Sequence, residues 1–398
     1  MIEKFNKDFL SDNKDLDIPL KADGSKYDFE SLAPDQKQIF AYIFNRLKEW
    51  INRQSKQKIK TATKNIVNQS IEYNIYKLTR MTICGAAGTG KSVLIKTLVT
   101  YIREMFGRND VVFVSAPTGS AGYNAGGLTN HKQFGMNTRT GTLSADRIKY
   151  LRKKFANALF VIMDERSMCD YIQLGIIERN CRETALSGNN DNLSFGGIPF
   201  IILLGDDFQL PPIDPGAFYC LEKQIPKKIL HVKNQTLIEM FKNGKNAFKY
   251  LGKDVWYLQQ KKRLLDSEKF LERILQGVRG EHGCSLDAQD ASHLLKYHLD
   301  NFNKSERTQI HQNSIFISAT KKQVHRYNIT CLSVINSVEN PVAKIKSFTT
   351  KRGRIVQNNI HYDTDRQPEV IRLTRGAKVY LNGWNLIPIW GLYHGSIG

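Results

Sequence analysis

Apolar residues along this chain follow two rhythms. Four short apolar runs, Leu78–Cys84, Val111–Ser115, Leu159–Met163 and Pro199–Leu204, have the length of buried strands. Between them, apolar residues recur three and four positions apart. Leu94, Leu98, Ile102 and Met105 form one such helical face, and Ile39, Phe40, Ile43, Phe44 and Leu47 form another. The second helix starts after Ser31–Gln36, where Ser31 or Asp35 can cap and Pro34 suits a first turn. Strands alternating with helices predict a doubly wound α/β domain whose ligands bind at the carboxyl ends of the strands. Residues 1–30 are polar and read as a loosely ordered lead-in. Residues 53–70, rich in Lys, Gln and Asn, read as a surface connection. Further on, Val255–Leu258 runs into Lys261-Lys262-Arg263 and then into an amphipathic helix with Phe270, Leu271, Ile274 and Leu275. That pattern predicts a second α/β domain. Ser314–Thr320 reads as one of its buried strands, and Ile371–Leu381 as strand, turn at Gly376, strand. The organisation expected is a lead-in over 1–30, a first domain over 31–255 and a partial second domain over 256–398, ending in mid-pattern.

Candidate chemistry sits at the ends of the runs. After the first comes Gly85-Ala86-Ala87-Gly88-Thr89-Gly90-Lys91-Ser92, a G-x-x-x-x-G-K-S loop between strand and helix. Glycines let backbone N–H groups turn toward phosphate, and the helix that follows points its positive end at the same anion. Lys91 is placed to reach the β- and γ-phosphates, and the Ser92 hydroxyl to hold Mg²⁺. The third run delivers Asp164 and Glu165, Asp164 to hold the metal and Glu165 to orient the attacking water. Acidic pairs at strand ends are common; this one gains weight because Ser92 needs a metal partner. The fourth run ends in Gly205–Pro212, which sets Gln209 on a proline-stiffened loop within reach of the γ-phosphate. Gln36 has an amide that can read an adenine edge, although from spacing alone a solvated helix-start glutamine is the favoured reading. Arg263 can reach back to the nucleotide as a charge-stabilising finger, and Lys261–Arg263 can equally be a phosphate contact or plain surface. Small residues in Ala116–Gly122 allow another chain close to the backbone. The basic helix Ala145–Phe155, with Arg147, Lys149, Arg152, Lys153 and Lys154, reads with about even odds as just a solvated face.

Composition narrows the setting. The 398 residues carry 58 Lys and Arg against 38 Asp and Glu, a net charge of +20, which favours a polyanionic partner, nucleic acid before anionic membrane. A hydrophobic content of 41% supports large cores and excludes global disorder. The six cysteines form no C-x-x-C pair, so neither a zinc site nor a disulfide framework is expected. No apolar run is long enough to span a bilayer and the first thirty residues lack a signal core, so a soluble, intracellular protein is expected.

The order of these motifs resembles the PIF-type (petite integration frequency) DNA helicases, near the RecD-like helicases of superfamily one. The likeness runs from Leu32 to Gly398. Leu32–Gln36 is similar to the adenine-reading glutamine motif, Gly85–Ser92 to motif I, Ala116–Gly122 with Thr129-Asn130-His131 to motif Ia, Asp164–Met168 to motif II, Gly205–Pro212 to motif III and Leu258–Asp266 to motif IV. Ala319-Thr320 with Tyr327 and Asn328, and Arg375–Leu381, resemble the second motor domain.

The resemblance implies two RecA-like P-loop motor domains, the second incomplete, with ATP and Mg²⁺ between them. It implies single-stranded or forked DNA as partner, touched by Thr118, Gly119, His131 and Lys132, a monomeric motor and 5′-to-3′ translocation. Repair, recombination, telomere maintenance and nuclear placement come with it. Arg166, Asn130 and Leu264 depart from the family pattern, and the last two family motifs do not follow. A catalytically weak ATP- and DNA-binding module is therefore the other expectation.

Overall fold

In a computed structural model the chain divides into two compact units, Met1–Lys269 and Phe270–Gly398. The structure describes residues 16–63, 78–136, 142–184, 193–212, 235–260, 268–280, 284–346, 349–351, 354–356, 370–381 and 397–398. Arg263 and the cluster around it lie outside these residues.

The first unit opens with α1 (Pro34–Thr63), then β1 (Thr79–Gly85), α2 (Lys91–Phe106), β2 (Val112–Ala116), α3 (Gly119–Asn124) and β3 (Leu128–Thr129). There follow α4 (Asn130–Phe134), α5 (Ala145–Lys154), β4 (Phe160–Met163), α6 (Tyr171–Glu183), β5 (Phe200–Gly205), α7 (Gln235–Leu251) and β6 (Val255–Leu258). The strands form one parallel sheet in the order β3-β2-β4-β5-β1-β6. Period-two alternation divides each strand between two cores. Met81, Ile83, Phe160, Ile162, Phe200 and Ile202 pack under α1 and α2. Val161, Met163, Ile201 and Leu203 face α6 and α7. Both faces are covered, which is why the runs read as almost unbroken apolar stretches.

Three expectations change here. β6 pairs in parallel with β1, Thr82 opposite Val255 and Gly85 opposite Leu258, so Val255–Leu258 closes the first sheet instead of opening a second domain. Its apolar face is satisfied locally, by Trp256 against Tyr42 and by Leu258 in the α1–α2 core. The helix α1 continues to Thr63, through much of the stretch read as a connection. From residue 16 the lead-in is anchored: Asn109 Oδ1 accepts the Asp17 N–H at 2.8 Å, and Phe29 packs on Phe40.

Helices α6 and α7 cross at two glycines. A Cβ on Gly175 would stand 1.8 Å from the Met240 carbonyl oxygen, and one on Gly244 1.8 Å from that of Tyr171. Only hydrogen lets the backbones approach this closely. Gly175→Ala is expected to destabilise the first unit by about 3 kcal/mol, because the obstruction is backbone and no rotamer relieves it. Urea unfolding followed by circular dichroism measures the loss, and an unchanged midpoint would refute this packing.

The second unit holds α8 (Lys269–Arg279), α9 (Ala288–Leu295), α10 (Lys304–Asn313) and α11 (Lys321–Ile335). Its short strands are β7 (Ala343–Lys346), β8 (Thr349–Lys351), β9 (Arg354–Val356) and β10 (Val370–Leu373), paired antiparallel as β7–β10 and β8–β9. Capping boxes, Asp287 with Asp290 and Asn303 with Glu306, start α9 and α10. The expected turn at Gly376 is present, with φ of 78°. Ser314–Thr320 is not a strand: no described strand forms a ladder with it, and Ile317 is 90% exposed. Its apolar content suggested a buried strand, but without a neighbouring ladder an extended segment has no backbone partners. No helix among the described residues is long and apolar enough to cross a membrane.

Candidate nucleotide and strand site

The carboxyl edge of the first sheet gathers the chemistry. β1 ends at Gly85 and the glycine loop turns into α2 through Gly88 and Gly90, whose φ values of 88° and 78° are left-handed. Thr89 is buried, and its hydroxyl donates to the Ala86 carbonyl at 2.9 Å, which closes the turn. A side chain on Gly85 would meet Thr89 Oγ1 at 2.5 Å, so the loop cannot tighten with anything larger there. Lys91 Nζ donates to the carbonyls of Gly85 at 2.7 Å and Ala86 at 3.2 Å, holding its charge within the loop. Ser92, the next residue of α2, is exposed.

Gln36 is not a solvated helix-start residue. It is 3% exposed, its Oε1 accepts the Ala33 N–H at 2.9 Å, and its Nε2 donates to the Thr89 carbonyl at 2.9 Å and, more weakly, to that of Gly90 at 3.3 Å. One amide thus caps α1 and grips the phosphate loop 53 residues away. A Cβ on Gly90 would sit 2.3 Å from that amide nitrogen.

β4 delivers Asp164 one residue beyond Met163, which stands level with Leu203 of β5. On the other side of β5, Cys84 of β1 stands level with Gly205. Ser92 and Asp164 therefore rise from the same sheet edge with a single strand between them. Asp164 is 6% exposed, and burial pushes its carboxyl up to about 6, with the neighbouring Lys91 charge acting in the opposite direction. The Glu165 N–H donates to Asp164 Oδ1 at 2.9 Å. A buried carboxylate and an exposed hydroxyl at one sheet edge are a donor set that suits Mg²⁺, which takes one or two protein oxygens and completes its shell with phosphates and water. Glu165 itself is left-handed, with φ of 52°, a cost that non-glycine residues bear mainly at functional sites.

Three residues here escaped the sequence reading as contributors. Asp206 is buried; its carboxylate accepts the Phe208 N–H at 3.2 Å and, weakly, the Gln209 side-chain amide at 3.5 Å. The signal was present, a strand-end carboxylate placed as Asp164 is. Arg166 and Asp207 form an ion pair that ties the turn after β4 to the loop after β5. Arg166 is 7% exposed, and a Cβ on Gly205 would meet its Cγ at 2.6 Å. No single stretch announces that pairing, because each half looks like a surface charge. Asp207→Asn strands a buried guanidinium and is expected to cost about 2 kcal/mol, below the usual penalty for a broken buried pair because the Asp207 side chain keeps 38% exposure. The double replacement of Arg166 and Asp207 by leucine is expected to recover most of the loss. Additive losses in a double-mutant cycle would show that the two charges are not coupled.

Thr118 caps α3, its hydroxyl accepting the Ala121 N–H at 3.3 Å, and Gly119 begins that helix. Thr118, Ser120, Glu165, Gln209 and the exposed Phe208 line one open groove of about 610 Å³. His131 and Lys132 lie outside it, exposed on α4.

Residues 54–249, which span this sheet and site, match the family model described as PIF1-like helicase. Over this stretch the chain is similar to the PIF1-like helicases. The PIF1-like stretch is 31% identical over 182 residues to the ATP-dependent DNA helicase RRM3 of Saccharomyces cerevisiae, covering 43% of this chain and 24% of that protein. It is 31% identical over 175 residues to the ATP-dependent DNA helicase PIF1 of Candida albicans, covering 40% of this chain and 18% of that one. The matches thus span about a quarter or less of these PIF1-like relatives. The crystal structure of the Pif1 helicase from Candida albicans superposes with a TM-score of 0.51 at 21% identity, over 84% of this chain and 68% of the other. A structure of DNA unwinding at forked dsDNA by two coordinating Pif1 helicases gives 0.51 at 20% identity, over 84% and 71%. These likenesses show the PIF1-like fold, an α/β P-loop architecture with a mostly parallel sheet flanked by helices.

Proposed function

We propose that the chain is an ATP-driven DNA motor that moves 5′-to-3′ along a single strand, at forks as well as on free strands. The observation that carries this reading is the groove in which Glu165, Gln209 and Thr118 meet, two hydrolytic candidates and one strand-contact candidate on one wall. Triphosphate binds over the Gly85–Ser92 loop, with Gln36 setting the loop's position and offering its remaining amide capacity toward the base. Lys91 exchanges its loop carbonyls for phosphate oxygens. Ser92 and Asp164 would hold Mg²⁺, which when bound would supply positive charge to the phosphates. Glu165 orients the attacking water and takes its proton.

Gln209, held near Asp206, feels the γ-phosphate. Its loop is tied through Asp207 to Arg166, so loss of that phosphate is passed to the turn that carries Glu165 and to the groove wall. Residues 270–398 contribute the second lobe in this scheme, and Arg263 supplies a cation to the transferring phosphoryl group. Closing and opening of two lobes ratchets the strand by differential affinity.

Steady-state phosphate release by the full chain, with and without an oligo-dT strand, tests the proposal. Stimulation of tenfold or more by the strand is expected from coupling of this kind. Hydrolysis indifferent to DNA, or raised only by protein, would overturn it.

A further inference from the structure

The basic helix α5 is not evenly solvated. Its cations divide into two sets by what they touch. Arg147 donates to the Lys132 carbonyl at 3.3 Å and lies over the Tyr150 ring at 4.9 Å. Lys154, two turns further, donates to the Gln133 carbonyl and to Gln133 Oε1, each at 3.2 Å, and packs over Phe113 and Phe155. Both side chains thus lie against α4, the short helix that carries Lys132. Gly135 makes this docking possible: a Cβ there would stand 2.7 Å from Arg147 Nε. Lys149, two residues from Arg147 and so about 200° round the helix, points elsewhere.

Among the described residues none of Lys132, Arg147 and Lys154 pairs with a carboxylate, and α5 carries a single acid, Asp146, in its first turn. The three cations feel one another. Burial first, then the charges of Arg147 and Lys132, draw the Lys154 ammonium down to about 8. Concentrating like charge without counter-charge is unfavourable unless an anion relieves it.

We propose that the α4–α5 surface, through Lys132, Arg147 and Lys154, binds backbone phosphates of a nucleic-acid single strand and extends the contact made at Thr118. The inference rests on the DNA-motor reading and adds Arg147 and Lys154 to it. The aromatic packing of Lys154 and Arg147 pre-sets both side chains, so little rotamer freedom is lost when phosphate arrives.

The test is the salt dependence of binding of a fluorescent dT16 strand to the full chain. Each engaged cation contributes about 0.7 to the slope of log K against log salt on a single strand. Arg147→Ala and Lys154→Met are each expected to lower that slope by about this amount and to weaken binding about tenfold at moderate salt. Lys149→Ala, on the other side of the same helix, is expected to keep the wild-type slope. Acetylation of Lys154 by a limiting amine reagent, read by mass spectrometry on the wild-type chain, is expected to fall when dT16 is bound. This readout does not depend on how the Lys154 variant folds. Wild-type slopes in both Arg147→Ala and Lys154→Met, equal losses in Lys149→Ala, or Lys154 labelled equally with and without the strand would overturn the inference while leaving the motor reading in place. A wild-type chain that binds no strand would overturn both.

Discussion

Lys91→Ala is expected to reduce strand-stimulated ATP hydrolysis at least about 10²-fold, because it removes the positioned cation that meets charge developing on the transferring phosphoryl group. The structure also limits what else the substitution does. Lys91 Nζ donates to the loop's own Gly85 and Ala86 carbonyls, so the side chain is held inward before any phosphate arrives. Deleting it takes one donor from each of those carbonyls. The turn itself is closed separately, by Thr89 on Ala86 and by Gln36 on Thr89. The fold should therefore survive, with a melting temperature within a few degrees of the parent. Nucleotide affinity should fall about tenfold or somewhat more, the worth of one charge-assisted hydrogen bond. Phosphate release and titration with a fluorescent ATP analogue measure the two effects separately. Hydrolysis within threefold of the parent would remove Lys91 from the phosphate site.

Glu165→Gln carries the other large expectation, in the opposite pattern. Glutamine keeps the volume of the side chain and leaves the backbone bonds that set its position. Those are Asp164 N–H to the Ser115 carbonyl at 2.8 Å and Met168 N–H to the Glu165 carbonyl at 3.1 Å. What it removes is the carboxylate proposed as the base. Hydrolysis should drop by about 10²- to 10⁴-fold while ATP-analogue affinity stays within about threefold. The left-handed backbone at Glu165 sharpens this prediction. Strain of about 1 kcal/mol or more is held there by the buried Asp164 and Arg166 on either side, and it aims the side chain into the groove with Gln209. Unchanged turnover in Glu165→Gln would assign water activation elsewhere. A parallel loss of nucleotide affinity would mean that the residue binds ATP and does not act on water.

The phosphate loop, the acidic strand end after β4 and the glutamine loop after β5 were legible in the chain itself. The reason is that each is a local device. Glycine spacing sets left-handed turns at Gly88 and Gly90 whatever surrounds them, and an apolar run followed by a carboxylate places that carboxylate at a strand end. The parallel sheet was legible for the same reason, since helix and strand periods depend only on neighbouring residues. Pairings across the sequence were not. Gln36 on Thr89 and Arg166 with Asp207 each join segments whose local pattern is satisfied without the other. Val255–Leu258 reads as a strand on its own, but strand period says nothing about which sheet takes it, and packing of Trp256 on Tyr42 decided that. Ser314–Thr320 shows the converse, apolar residues that the described structure leaves without a ladder.

The sequence alone thus determined an α/β unit and the glycine loop and carboxylates at one edge of its sheet, because short-range stereochemistry suffices for both. Tertiary structure alone decided which distant side chains brace that site and which face of α5 is crowded with uncompensated charge, because burial and Coulomb repulsion act through space and leave no mark on local periodicity.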